Sequence, residues 1–373
     1  MKNSDGCEDS KNGVCPQKRH EVYIGINKES VGGERGLSPK DGWGQTPKEV
    51  ERTAEEVKRK AGYVGRLAPS PTGALHLGNA RTFMIAYLRA RSLGGKLIMR
   101  MEDLDHPRDK PGAAAAALED LRWLGFDWDE EYVQSERKGF YAESLARLVD
   151  LGRAYPCVCS RRDVESAQSA PHEGEQLFYS GMCRGRFASW AAACAELKSR
   201  GEDRIPCWRF RTADDADVEF HDAFAGLCRQ DVARTLGDFP LARDEHGAGY
   251  TLAVTVDDAA MGVTEVVRGD DLLPATPAQI LVQRALGLPE VGYCHVPLVV
   301  GVDGKRLAKR HGDTRIASFR GKGISAETII GYLASTCGWC SAGEKVSLKE
   351  LLPVFTLDSI PREKLQYKAE SLV

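Results

Sequence analysis

The sequence predicts an α/β fold on a parallel sheet, interrupted in its middle by an inserted module. Strand-like and helical runs alternate from Tyr63 to Leu124 and again from Tyr250 to Val300, the order that builds parallel sheets. Between them, over residues 155–245, the pattern changes to turns and scattered Cys. A chain of 373 residues is long enough for a sizeable core plus such a module.

Residues 1–60 are rich in Gly, Lys, Glu, Ser and Asp without sustained apolar periodicity, and read as a disordered extension. Order begins at the strand Tyr63 to Ala68, which breaks at Pro69-Ser70-Pro71-Thr72-Gly73. A helix follows, with Phe83, Ala86, Tyr87 and Ala90 at helical spacing. Lys96 to Met101 is a second strand, and Ala113 to Leu124 is an Ala-rich helix with Leu118, Leu121 and Leu124 on one face. A helix from Phe140 to Leu151 completes the first half, residues 61–154. The second half, residues 246–312, reads as strands at Tyr250 to Val256 and Val263 to Val267, a helix at Thr276 to Leu286 and a strand at His295 to Val300. Residues 313–373 form a short helical C-terminal region.

Hydrophobic residues make up 42% and charged residues 28%, an ordinary globular composition. No run of eighteen apolar residues occurs and the amino terminus is polar, so a cytoplasmic protein without a membrane partner is expected. The net charge of -3 excludes nucleic-acid binding by bulk charge, and any RNA contact must use a local basic surface. Eleven Cys, an odd number, argue against a disulfide framework, and close pairs then suggest metal chemistry.

Five stretches carry chemistry. Between the first strand and helix, Arg66 to Asn79 contains two Pro and two Gly, so backbone can approach a ligand at a helix start, where free N–H groups and the dipole favour phosphate. His76 and Asn79 add hydrogen-bonding side chains there. Glu102 ends the second strand, and carboxyl ends of adjacent parallel strands are where ligands bind. Read alone, Glu102, Asp103 and Asp105 are a solvated acidic turn, and Arg268, between Glu265 and Asp270, an ion-paired loop residue. Gly304 to Gly312 is a Gly-bounded basic loop, in isolation a solvated face or an RNA contact. Cys157 and Cys159, followed after nineteen residues by Tyr179 and then by Cys183, offer three thiolates and a fourth ligand for a closed structural zinc site. His172 competes with Tyr179 for the fourth place. Cys337 and Cys340 read as packing.

The run R-L-A-P-S-P-T-G-A-L-H-L-G-N at residues 66–79 resembles the glutamyl and glutaminyl branch of class I aminoacyl-tRNA synthetases. Further motifs follow in that family's order up to about Trp339. The resemblance implies a Rossmann-type catalytic domain that uses ATP with Mg2+ and L-glutamate. It implies ATP binding by Lys309 and by His76, Gly78 and Asn79, the "HIGH" element with Asn79 in its last place. It assigns Arg66, Ala68, Ser70, Glu102, Tyr250 and Arg268 to the glutamate pocket, with Glu102 on the ammonium group and Arg268 on a carboxylate. It makes Arg306 to Arg310 the mobile "KMSKS" element and Lys309, with His76, catalytic. Arg306 and Ala308 replace that element's first lysine and serine.

The arrangement C-x-C…Y-x-x-x-C resembles the zinc site of a truncated group in this branch, implying one structural zinc on Cys157, Cys159, Tyr179 and Cys183. About sixty residues follow Arg310, and no anticodon-binding domain is expected in them. In the truncated group glutamate is activated without tRNA and then esterified onto the queuosine base at the wobble position of tRNA(Asp). Charging of a tRNA 3′ end and a non-catalytic amino-acid- or RNA-binding regulator are the alternatives.

Overall fold

The computed structural model describes residues 62–104, 110–166, 178–213, 216–305, 307 and 313–367. The 1–60 extension, Asp105, His172, Arg306 and residues 308–312 with Lys309 lie outside the described residues.

Two successive βαβ units start the fold. Strand β1 (Val64–Leu67) leads through helix α1 (Leu77–Ser92) to β2 (Lys96–Met101), then through α2 (Ala113–Trp123) to β3 (Glu130–Val133). All three strands are parallel, with Val64 opposite Lys96 and Ile98 opposite Glu130. Helix α1 forms because Leu77, Ala80, Met84, Ile85 and Leu88 are fully buried, so packing of a whole face outweighs its modest intrinsic propensity.

Helix α3 (Lys138–Asp150) then leads into the middle stretch, which does not stay in one piece. Strands β4 (Ala154–Cys157), β5 (Cys207–Phe210) and β8 (Pro240–Ala242) form a small antiparallel sheet, flanked by α4 (Arg161–Ser166) and α5 (Trp190–Ser199). The hairpin of β6 (Asp217–Asp222) and β7 (Gly226–Asp231), which runs into the short helix α6 (Val232–Thr235), instead joins the second half of the catalytic sheet, in the order β7, β6, β10, β9.

That second half contains α7 (Tyr250–Ala260), β9 (Glu265–Gly269), α8 (Thr276–Leu286) and β10 (Gly292–Val296). Strand β9 is fastened beside β1 by a 2.9 Å bond from Thr264 N to Val64 O and by Arg66 Nη1 donating to Val267 O at 2.7 Å. The chain therefore winds outward from β1 to β2 on one side and from β9 to β10 on the other, which makes the β1/β9 boundary a topological switch point.

Two expected elements differ. Tyr250 to Val256, expected as a strand, is the start of helix α7. Leu252 to Asp258 are all buried, so no polar face marks a helical period, and a β-branched run buried on all sides is indistinguishable from a core strand. Asp257 shows the tertiary cause: it accepts from Gln134 Nε2, Arg137 Nε and Tyr141 OH at 2.7–2.9 Å. The strand expected from His295 to Val300 is broken at Pro297, which lacks an N–H for the ladder, into the end of β10 and the short β11 (Val299–Val300).

After the basic loop come α9 (Ile316–Gly321), α10 (Ala326–Ser335) and α11 (Leu348–Leu351), and β12 (Leu365–Gln366) returns to pair with β11. Cys337 is fully buried in the core formed with α1, as expected of a packing residue. Among the described residues no helix is long and apolar enough to cross a membrane.

Candidate active site and metal knuckle

A cavity of about 460 Å3 opens at the C-terminal ends of β1 and β9, where open parallel sheets bind ligands. All nine residues expected to bind small molecules and described here line it: Arg66, Ala68, Ser70, His76, Gly78, Asn79, Glu102, Tyr250 and Arg268. They come from segments up to 202 residues apart. At Gly269 a Cβ would lie 2.6 Å from Leu298 Cδ2 and 2.8 Å from Asp271 Oδ1, so a side chain there would crowd the cavity wall.

His76 is the N-cap of α1. Its Nδ1 accepts from the amides of Gly78 and Asn79 at 3.2 and 3.4 Å, and Asn79 Oδ1 accepts from His76 N at 3.4 Å. A neutral imidazole accepting at Nδ1 carries its proton on Nε2, so the ring presents a donor beside a positive helix end. The basic loop is tied to this point. Before it, Gly301 N donates to Lys305 O at 2.8 Å, and Leu307 lines the cavity. Beyond it, Leu77 N donates to Thr314 O and Ile316 N to Leu75 O, both at 3.0 Å. Lys309 therefore belongs to a loop whose C-terminal end is anchored next to His76.

One wall of the cavity is cationic and buried. Arg66 is 7% exposed, its Nε is buried without a partner, and burial lowers its pKa against the opposing charge of Asp258. An orphaned guanidinium N–H in a cavity wall is a place for a carboxylate. Glu102 is no solvated turn residue: Arg100 grips its Oε1 from Nη2 at 3.0 Å and Nε at 3.3 Å. Burial pushes the Glu102 carboxyl up, while Arg100 and Arg66 oppose that push. Asp103 is occupied by Ser135, through N at 2.8 Å and Oγ at 2.6 Å. Arg268 is likewise not an ion-paired loop residue, since it is 5% exposed and donates to His295 Nε2 and Thr276 Oγ1. Tyr250, at the first turn of α7, is 41% exposed and closes one side of the cavity.

The supporting residues were not singled out by the sequence. Arg100 also donates to Asp258 Oδ1 at 2.6 Å, so an aspartate of α7 holds the residue that holds Glu102. Its signal was a lone Arg within the otherwise apolar run Leu97 to Met101. His295 and Asp222 left a weaker mark, because polar residues on strands are ordinary until their burial is known.

Away from the cavity, the sulfur atoms of Cys157, Cys159 and Cys183 lie within 4.8 Å of one another. Tyr179 OH stands 3.2 Å from Cys157 Sγ and 3.5 Å from Cys159 Sγ, and Cys159 Sγ is 3.6 Å from Cys183 Sγ. Tetrahedral zinc with bonds of about 2.0–2.3 Å places its ligand atoms roughly 3.5–3.8 Å apart, so the donor set fits that ion. Tyr179 is fixed by its backbone bonds to Leu236 and Asp238, and Gly237 allows this approach because a Cβ there would lie 2.0 Å from Tyr179 O. Arg209, a further residue the sequence did not single out, donates from Nε to Cys157 Sγ at 3.2 Å and lies 3.8 Å from the Tyr179 ring centroid. It places a positive charge beside a ligand set that is anionic when deprotonated.

A capped helix start and buried arginines around one cavity, at the switch point of a parallel sheet, match the arrangement of an adenylate-forming class I synthetase. Residues 63–360 match the family described as tRNA synthetases class I (E and Q), catalytic domain, and the chain belongs to that family. It is 47% identical over 320 residues to the glutamyl-Q tRNA(Asp) synthetase of Symbiobacterium thermophilum, covering 83% of this chain and 97% of that one. With the protein of the same name from Rhodopirellula baltica the identity is 46%, over 81% of this chain and 92% of the relative. Among solved structures, a glutamate tRNA ligase from Elizabethkingia meningosepticum in complex with its amino acid is similar with a TM-score of 0.69 and 26% identity, over 83% of this chain and 68% of that one.

Proposed function

We propose that this chain activates L-glutamate with Mg2+-bound ATP and then transfers the glutamyl group to the queuosine base at the wobble position of tRNA(Asp). The observation that carries the activation step is the convergence of nine residues from four separate segments on one cavity at the switch point. The choice of acceptor rests on the two relatives named glutamyl-Q tRNA(Asp) synthetase, matched along more than nine-tenths of their lengths.

In this reading Arg66 and Arg268 take the carboxylates of glutamate and Glu102 its ammonium group. Tyr250, Ala68 and Ser70 wall the substrate, while His76, Gly78 and Asn79 hold ATP phosphates. A carboxylate oxygen of glutamate attacks the α-phosphorus. The α–β bridging P–O bond breaks, and pyrophosphate leaves with the electron pair under the charge of Lys309. A queuosine hydroxyl then attacks the activated carbonyl, loses its proton and displaces AMP. One structural zinc on Cys157, Cys159, Tyr179 and Cys183 staples the knuckle.

The acceptor is tested with labelled glutamate, ATP and tRNA(Asp) with and without queuosine, each also lacking the 3′-terminal adenosine. Label should enter queuosine-containing tRNA whether or not that adenosine is present. Labelling that needs the terminal adenosine and ignores queuosine would establish 3′-end charging instead.

Side-chain charge should also govern the choice of amino acid. Glutamine and aspartate are expected to support pyrophosphate exchange about 100-fold less efficiently than glutamate, because each leaves a buried guanidinium poorly matched. Glu102→Gln should raise the glutamate KM about tenfold or more, since the ammonium group loses its anion. Glutamine turnover equal to that of glutamate would remove the arginines from this pocket assignment.

A further inference from the structure

Behind Arg268 runs a line of fully buried polar groups drawn from neighbouring strands. Asp222, at the end of β6, and His295, on β10, are 0% and 1% exposed. Asp222 Oδ2 lies 2.6 Å from His295 Nδ1, and its two oxygens accept from His295 N at 3.1 and 3.2 Å. Asp222 Oδ1 also accepts from Phe224 N and Ala225 N. On the other side of the ring, His295 Nε2 is 2.9 Å from Arg268 Nε.

This chain of bonds has one consistent proton arrangement. A guanidinium Nε can only donate, so His295 Nε2 carries the lone pair and Nδ1 carries the proton given to Asp222. The imidazole is neutral. Burial, opposed by Asp222 and reinforced by the charge of Arg268, lowers its pKa from the ordinary 6.5. Against the upward push of burial, the ring and the backbone amides hold the Asp222 carboxyl down at about 2.

The geometry of Arg268 follows. Its Nε is tied to His295, and Nη2 donates to Thr276 Oγ1 at 2.7 Å. Its guanidinium lies 5.3 Å from the Tyr293 ring, which stacks on His295. Nη1 has no partner among the described residues, and Arg268 lines the cavity. One edge of the fork is thus held by the protein, and the remaining N–H groups are left for a planar anion.

We propose that His295, held in one tautomer by Asp222, is a positioning residue for amino-acid recognition: it fixes the plane of Arg268 so that its outer N–H pair meets a carboxylate of glutamate. This rests on the reading of Arg268 as a carboxylate ligand. His295 touches no substrate, and its effect passes through Arg268 alone.

The test compares His295→Phe, His295→Gln, Asp222→Asn and Arg268→Ala by glutamate-dependent ATP–pyrophosphate exchange, with thermal unfolding as a control. His295→Phe keeps a flat ring but removes the acceptor, and should raise the glutamate KM about tenfold or more while the ATP KM and kcat stay within about threefold. His295→Gln can present an acceptor near the Nε2 position and should recover most of the loss. Asp222→Asn can turn the tautomer so that an N–H faces Arg268, and should raise the glutamate KM in the same selective way. Parallel changes in both KM values and kcat would overturn the proposal in favour of a structural role. An unchanged glutamate KM in His295→Phe with a raised one in Arg268→Ala overturns the positioning role and leaves the pocket reading standing. Unchanged glutamate KM in Arg268→Ala overturns the pocket reading itself. If His295→Phe does not fold, the remaining pair decides. A raised KM in Asp222→Asn with near-normal His295→Gln supports the proposal, and no change in Asp222→Asn overturns it.

Discussion

Lys309→Ala is expected to lower glutamate-dependent ATP–pyrophosphate exchange by about 100- to 1000-fold while leaving the thermal unfolding midpoint unchanged. Negative charge gathers on the pyrophosphate oxygens as the P–O bond breaks, and one positioned cation at such a site contributes on that scale. The loop bearing Lys309 is anchored on its C-terminal side beside the start of α1, where Leu77 N donates to Thr314 O and Ile316 N to Leu75 O, and Leu307 ahead of it lines the same cavity. The missing charge should therefore be felt at the reacting phosphates and not in the core. Because the cation acts mainly on the transition state, kcat should fall more than either KM rises. Exchange at the wild-type rate would take the lysine loop out of the chemistry.

Much of the site was legible in the sequence because its parts are local. The turn from Arg66 to Asn79 holds the backbone, cap and side chains of half the cavity within fourteen residues, and its Pro and Gly placement announces a close approach to ligand. The residues alone left that turn ambiguous, and the order of several motifs placed it in the family that residues 63–360 match. What was not legible depends on contacts between distant segments. Arg100 and Asp258 are 158 positions apart and His295 and Asp222 are 73 apart, so no spacing rule joins them before the sheet is built. Helix α7 was hidden for a related reason: its charged residues Asp257 and Asp258 look like the end of a strand, yet both are buried and satisfied by Gln134, Arg137, Tyr141 and Arg100. The β6–β7 hairpin lies within a stretch whose composition suggested a separate module, and only pairing of β6 with β10 shows it to be part of the catalytic sheet.

Purified protein is expected to hold about one zinc per chain, and Cys183→Ser to lose it. Three thiolates, a phenolate and Zn2+ sum to a charge of -2 in a largely buried site, and such a charge needs a counter-charge. Arg209 lies where that need falls, against Cys157 Sγ and over the Tyr179 ring, so Arg209→Gln should weaken zinc retention under chelator challenge without removing a ligand. Tyr179 is the demanding ligand. Burial and the adjacent thiols raise its phenol above the ordinary 10, and only a bound cation would make the phenolate favourable. Tyr179→Phe should therefore lower zinc content markedly. Full retention in Tyr179→Phe together with loss in His172→Ala would give the fourth place to histidine. The knuckle lies in the β4-β5-β8 region and shares none of its four candidate ligands with the cavity wall. Loss of metal in Cys183→Ser should thus reduce transfer to tRNA more than it reduces glutamate-dependent exchange. Metal-free protein with undiminished thermal stability would reject the zinc knuckle, whatever its activity.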